Sequence, residues 1–536
     1  SSDAPSTVRN LGGLIDAGKL IDLGTDGVFT NSAMLAPGGE KIVSTTTLTG
    51  NYVQTGKGRL LITVALRNNT ADELAVSGTA SLSGFIVPTW INPKAARPGP
   101  QQVTILSAAG GITTQGLDGR HLSTPSVTAT LVQPNANDLA LDYVVNYTAA
   151  PSFRAAGMGS SNLLSVGGAL QKIAGGEVPD ALAPIMTSAL NAPTAGSLGA
   201  IYNGLSGEAA ASTLQSAIGA IAQFQSTVMG QLGRLAASPA SAFQVASASD
   251  AIPVPAQSGP VRLWATGFGN ADTLDGSGGM ATLTSSTGGG AAGLDVRLGP
   301  GLLAGLTAGA STTQYAVAGR ASSGETNGGT GGFYGMWDTG PFYARGVVSY
   351  SHLSTSEQRV APAGTRLDDE TGHFGTDVFG GEAEIGWRRT LGSATVTPFA
   401  SLQVTELWQG GFSEAERGMG RAAGPLGLHV DGQTTSSVPL TLGVQFDEAF
   451  GPLRPLLRAG WVHEFSPQRA VTENFLAAPD APFRVLGVAA AADSALVEAG
   501  ASLRLARGVT LDGEFVGQLS AVQRSLGGFG TVKMAW

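Results

Sequence analysis

The sequence predicts a mostly-β chain in three parts: short strand-and-turn coils, a helical and Ala/Ser/Pro-rich middle, and a closed antiparallel barrel of twelve membrane-spanning strands. Three observations carry this. The 536 residues include 78 Gly but only 13% charged and 6% aromatic residues, with no collagen-like period, which favours turn-rich β structure. From Val261 onward apolar and polar residues alternate strand after strand. The final segment is itself such a strand: Val532, Met534 and Trp536 share one parity, Thr531, Lys533 and Ala535 the other. Since soluble termini fray, a patterned strand reaching the last residue is expected to belong to a closed sheet.

The bulk numbers remove several classes. The absence of Cys excludes disulfides and thiolate metal sites, and suits a chain that crosses an oxidising compartment unfolded. A net charge of −9 without a basic stripe argues against nucleic acid as a partner. Ser1-Ser-Asp-Ala-Pro lacks the Met and apolar core of a signal peptide. The uncharged run between Glu208 and Arg234 has the length of a membrane helix, but Ser212, Thr213, Gln215, Ser216, Gln223, Gln225, Ser226, Thr227 and Gln231 are too polar to face lipid.

Residues 1–154 read as short strands with Gly, Asn and Asp at the corners, as in Asn10–Gly24, Thr45–Gln54, Gly58–Leu66, Glu73–Leu82 and Val103–Ser107. Units recurring roughly every 20 residues are the mark of a solenoid, with a β-sandwich as the alternative. Gly50-Asn-Tyr-Val-Gln-Thr, Gly58-Arg-Leu-Leu-Ile-Thr-Val, Ala71–Gly84 and Val103-Thr-Ile-Leu, in that order and spacing, resemble the pertactin-like end of an autotransporter passenger. Over residues 45–148 the resemblance implies the end of a right-handed β-helix that serves as a folding nucleus, or autochaperone. A solenoid end needs a cap, and Tyr143–Tyr147 is the expected closing strand.

Residues 155–260 change character. Leu214, Ile218, Ile221, Val228, Leu232 and Leu235 form a helical stripe, with Glu208 at the helix start where the dipole favours an acid. The stripe predicts a core helix in a hairpin with residues 161–190, while Leu205-Ser-Gly-Glu208 resembles the segment upstream of autotransporter barrels. Ala236–Pro260 is an Ala/Ser/Pro linker whose reach of about 80 Å, at ~3.3 Å per residue, exceeds a ~30 Å hydrocarbon core. Either this linker or the end of the helix is expected to thread a pore.

Residues 261–536 carry the systematic alternation. Leu294, Val296 and Leu298 oppose Asp295 and Arg297; Phe342, Ala344, Val348 and Tyr350 oppose Arg345 and Ser349; Ala383, Ile385 and Trp387 oppose Glu382, Glu384 and Arg388. Leu453, Leu457, Ala459 and Trp461 oppose Arg454, Arg458 and Glu464; Val497, Ala499, Ala501 and Leu503 oppose Glu498, Ser502 and Arg504; Leu511, Phe515 and Leu519 oppose Asp512, Glu514 and Gln518. An even number of amphipathic strands suits a membrane barrel. A soluble barrel has the same alternation inverted. The discriminator is the polar face, which mixes both signs: Arg262, Arg297, Arg345, Glu382, Glu384, Arg388, Arg454, Arg458, Glu498, Arg504, Asp512, Glu514 and Lys533 are expected to face a wet lumen. Six of the seven Trp follow residue 260, many near strand ends as interfacial girdles require. The whole resembles the twelve-stranded autotransporter translocator. That resemblance implies a bacterial outer-membrane protein of type V secretion that exports and anchors its own N-terminal passenger at the cell surface.

Catalytic motifs are absent: no Gly-x-Ser-x-Gly elbow, Walker loop or His-Glu-x-x-His occurs. The five His (His121, His352, His373, His429, His463) are scattered, and His463 beside Glu464 reads as a rim ion pair. Glu382 and Glu384 share a face, which a solvated lumen explains better than acid/base catalysis. No enzyme activity, cofactor or metal is therefore expected. Some autotransporters release their passengers by cleavage between two Asn within the barrel; no Asn lies between Ser226 and Pro260, so the resemblance implies an attached passenger or one cut by another protease. By the same resemblance Val532, Met534 and Trp536 form the signal read by the barrel-assembly machinery, although Trp replaces the commoner Phe. The expected partners are outer-membrane lipid, that machinery, periplasmic chaperones and the passenger segment in the pore of a monomer. The rivals are the anchor of a surface hydrolase encoded upstream, and a porin-like channel.

Overall fold

A computed structural model of the protein describes residues 6–39, 41–94, 99–236, 261–363, 366–417, 424–506 and 509–535. The linker beyond Ala236 and the terminal Trp536 lie outside the described residues. Two compact units result, one built mainly from residues up to Ser206 and one from Gly207 onward.

The first unit is a parallel β-helix. Strands Thr7–Asn10, Val28–Asn31, Asn51–Gln54 and Ala80–Ile91 stack in parallel on one face, and Leu14–Ala17, Met34–Pro37 and Arg59–Ala65 on the next. Leu20–Asp22, Thr45–Thr49, Glu73–Val76 and Gln101–Ala108 form the third. Leu35, Leu60, Leu48 and Leu74 fill its core with no exposed surface. Asn10, Asn31 and Gln54 occupy one register position in successive coils. Asn10 Nδ2 donates to Asn31 Oδ1 (3.0 Å), Asn31 Nδ2 to the Arg59 carbonyl (3.2 Å) and Gln54 Nε2 to the Ser83 carbonyl (2.7 Å), so these buried amides satisfy the coil corners. Gly50 turns a corner at φ +117°, where a Cβ would lie 2.5 Å from the Gly27 carbonyl oxygen.

The solenoid ends in an antiparallel hairpin, Val127–Asn135 with Asp138–Val145, paired to Gln101–Ala108. The closing strand thus begins earlier than Tyr143. Helices Ala150–Ala155, Ser161–Ala174, Ala183–Leu190 and Ala195–Leu205 follow. Asn191 fastens them to the strand Ala80–Ile91: its Oδ1 accepts from Trp90 N (2.9 Å) and its Nδ2 donates to Trp90 O (2.7 Å).

The second unit is the barrel. Its strands are Val261–Leu274, Leu283–Gly299, Leu302–Val317, Ser322–Asp338, Phe342–Ala363, Arg366–Trp387, Ala394–Gln409, Pro439–Glu448, Leu453–Glu464, Asp493–Ala506, Val509–Leu519 and Gln523–Ala535. Neighbours pair in sequence order. The last strand pairs with the first over Arg262↔Ala535 to Leu274↔Gln523, which closes the sheet and leaves no edge. Residues 300–301, 339–341 and 449–452 make short turns at one end, whereas residues 410–438 and 465–492 are long connections at the other. In such barrels the short turns are periplasmic and the long loops extracellular.

Candidate functional site: a helix inside the barrel

The helix Glu208–Ala236 lies inside the barrel. This corrects the expected hairpin with residues 161–190: the helix's apolar stripe packs on barrel strands. Phe224, Val228, Met229 and Leu232 join Trp264, Phe268, Tyr334, Tyr343 and Phe529 in one buried cluster. From one side a lumen wall built of aromatics is indistinguishable from any other apolar surface, so the stripe alone does not separate a lumen helix from one in a helical hairpin. No helix among the described residues is long and apolar enough to cross a membrane. Its polar residues face protein, and this is why they occur in a run of membrane-spanning length.

Polar contacts hold the helix along its whole course. At the loop end Glu208 is buried and accepts from Arg320 Nε (2.6 Å) and Ala281 N (2.6 Å). Midway Gln225 donates to Ser349 (3.1 Å) and accepts from Gln403 (2.6 Å). Lower down Gln231 donates to Thr531 (2.5 Å), and Arg234 bonds Glu514 (2.5 Å) and meets Asp512 at 3.4 Å while lying over the Phe529 ring. Gly230 sits where a Cβ would strike that ring. A mid-helix Gly costs about 1 kcal/mol relative to Ala, so its presence fits a close approach and not helix propensity.

The inner wall carries its own ion pairs. Arg345 forks onto Glu384 (3.0 and 2.8 Å) and donates to the Met229 carbonyl (2.6 Å). Arg458 reaches Glu384 (2.7 Å) and Glu498 (3.2 Å). Arg262 pairs with Asp295 (2.6 Å), Arg388 with Asp338 (2.8 Å) and Lys533 with Asp512 (2.8 Å). Glu382 accepts from Ser401 (2.8 Å). The structure therefore brings together most of the charges singled out above. Arg454 and Glu514 are half-buried, whereas Arg297 and Arg504 sit exposed near the periplasmic strand ends. Glu384, expected in a solvated lumen, is instead buried between two guanidinium groups.

Two further expectations change. Trp264 is 2% exposed and donates to Tyr334 (2.6 Å), so it is a lumen residue, while Trp337, Trp387, Trp408 and Trp461 are exposed outward. His463 pairs with Asp493 (2.8 Å) between Trp461 and Phe465, not with Glu464, which accepts from Ser437 and Val438 N. Neighbouring residues on one strand face opposite sides, so the sequence adjacency misled. Val532 and Met534 are exposed on the outer face. The lumen bonds of Gln225 and Gln231 have no signal in sequence, since uncharged polar residues carry none for pairing, and Glu208 reads only as an acid at a helix start.

A closed twelve-stranded barrel, apolar outside and ionic inside, with its lumen filled by the segment preceding its first strand, defines an outer-membrane β-barrel of the kind that carries its own chain through itself. Over residues 263–515 the chain matches the family model described as the autotransporter β-domain. It is an outer-membrane translocator of type V secretion, exporting a passenger to the cell surface. Among solved structures it is similar to the translocator domain of the autotransporter NalP from Neisseria meningitidis (13% identity, 59% of this chain and 99% of that one, TM-score 0.43). It is also similar to the transport unit of AIDA-I from Escherichia coli (14%, 53% and 93%, 0.36) and to the β-domain of the Bordetella autotransporter BrkA (17%, 52% and 100%, 0.37). No curated protein matches the chain.

Proposed function

We propose that the helix Glu208–Ala236 is the passenger's permanent tether, left in the lumen when export is complete. The observation that carries this is its polar contacts at both ends and midway, from Glu208–Arg320 through Gln225–Gln403 to Arg234–Glu514. A segment merely passing through has no need of matched partners along its length. With no Asn between Ser226 and Pro260 for intrabarrel cleavage, the passenger stays attached or is cut elsewhere. The β-helix over residues 45–148 acts as autochaperone: its folding outside disfavours return through the pore, which replaces a nucleotide-hydrolysing motor.

Val532, Met534 and Trp536 serve as the signal for the barrel-assembly machinery, reached with the help of periplasmic chaperones. The inward charges from Arg262 to Lys533 serve to seat the tether. The protein acts as a monomer without catalytic activity or cofactor. Protease shaving of intact cells, followed with antibodies to residues 1–150, tests the reading. Disrupting residues 45–148 is expected to leave the barrel inserted and to lower surface display; undiminished display would sink it. A second reading, anchor of an upstream surface hydrolase, shares this machinery and differs in the activity of the segment displayed. A porin-like role is opposed by the tether, and removing residues 200–260 is expected to raise conductance.

A further inference from the structure

The helix does not fill the barrel evenly. Twelve strands spaced ~4.8 Å apart and tilted about 40° enclose a backbone diameter of roughly 24 Å, against about 10–12 Å for a helix with its side chains. The helix leans on the aromatic wall of Trp264, Phe268 and Tyr334. On its other side a cavity of about 200 Å³ remains, lined by Asp272, Glu382, Glu464 and Glu498 and by no Lys or Arg among the described residues. Gln223 lines it as well: the residue is 8% exposed and its Nε2 has no partner. A buried amide donor of this kind requires water.

The carboxylates of this vestibule are held mostly by neutral donors. Asp272 accepts from Asn270 (2.5 Å) and Glu382 from Ser401 (2.8 Å); Glu464 accepts from Ser437 and from the backbone of Val438 and Ser466. Arg469 is bound to Gln215 (2.9 Å) and to the Ser466 carbonyl. Glu498 meets a cation on the floor, Arg458 at 3.2 Å.

That floor is a belt. Arg458 lies 4.0 Å from the Phe399 ring centroid and reaches Glu384, while Phe399 packs over Gly443, where a Cβ would come within 2.6 Å of the ring. Arg345 continues from Glu384 to the Met229 carbonyl of the helix. Beyond the belt, toward the short turns, lies a separate crevice lined by Arg234, Arg454, Ser502 and Glu514.

We propose that the vestibule beside the helix is a hydrated, cation-selective blind pore, and that the Arg345–Glu384–Arg458–Glu498 belt is the seal that keeps it from running through to the periplasm. A cleft lined by one sign of charge concentrates counter-ions by about tenfold or more. The full chain in planar lipid bilayers under a KCl gradient tests this. The unaltered protein is expected to show no through-conductance. Arg458→Ala opens a path favouring K⁺ over Cl⁻ by about tenfold. Adding Asp272→Asn and Glu382→Gln abolishes the preference and keeps the conductance. An Arg458→Ala barrel as closed as the parent, or open without cation preference, overturns the proposal.

If Arg458→Ala fails to insert, the Cys-free parent sequence permits a second measurement. Ser525→Cys, in the vestibule, is expected to react about tenfold faster with a cationic than with an anionic thiosulfonate. Ser502→Cys, beyond the belt, is expected to resist both reagents when they are added outside intact cells. Equal rates at Ser525→Cys, or modification of Ser502→Cys from outside, overturns it.

Discussion

The solenoid and the barrel use the same alternating strand for opposite ends. In the solenoid the apolar parity turns inward, and Leu35, Leu60 and Leu74 are fully buried. In the barrel the apolar parity turns out, with Leu442, Val444 and Phe515 exposed, and the polar parity is buried as ion pairs such as Arg345–Glu384. Alternation reports that the two faces of a sheet meet different surroundings, without saying which is the core. What tells them apart is the polar face. The polar residues that enter the solenoid core are mostly uncharged and bond backbone, Asn10 and Asn31 through their amides and Thr46 through its hydroxyl, because a parallel stack offers carbonyls at fixed register. Where they enter the barrel they are charges of both signs.

Exchanging the rules should break each region separately. Leu60→Ala removes a fully buried solenoid side chain and is expected to cost about 2–5 kcal/mol, read as a lower denaturant midpoint for proteolysis of residues 45–148 in the full chain. The barrel's heat-shifted gel mobility should stay unchanged. Val444→Arg places a charge on the lipid face and is expected to cost about 2–4 kcal/mol in refolding titrations into vesicles, with the solenoid unaffected. A barrel indifferent to Val444→Arg would mean that this face is not in lipid. Gly230→Leu drives a side chain into the Phe529 ring. Overpacking of this sort costs about 1–3 kcal/mol, measurable as a lower thermal midpoint of the barrel and greater protease access to the tether.

Much of the barrel was legible before any coordinates. The alternation from Val261 onward and the patterned final strand point to a closed barrel of twelve strands, and the last strand pairs with the first as closure requires. Strand lengths were not legible. Ser322–Asp338 reads in sequence only from Phe333 to Trp337, because Ser, Gly, Thr and Asn dominate its loop-end half. The tether was half legible. Its stripe announced a helix, yet the choice between pore and helical hairpin depends on which apolar surface covers the stripe, and that is a property of the partner. Trp264 departs from the girdle pattern of the other tryptophans because an aromatic near a strand start has the same sequence signature facing lipid or lying over Gly293, as it does here.

The smallest expected effect concerns the solenoid's exception to its own rule. Asp72 is fully buried, and its carboxylate accepts from Ser44 N (3.0 Å) and Thr63 N (2.7 Å). Those bonds favour the charged form, but burial outweighs them and pushes the group up to about 6. Between the unfolded value near 4 and this one, the folded chain holds a proton that the unfolded chain has released. Solenoid stability is therefore expected to fall as pH rises from about 4 to 6 and to level off above. Asp72→Asn should flatten that slope. The denaturant midpoint for proteolysis of residues 45–148, followed from pH 4 to 7.5 in the parent and the variant, reads it directly. A slope of the opposite sign would mean that the two amide bonds outweigh burial, and that Asp72 belongs, like the barrel's acids, to the charges a fold keeps ionised.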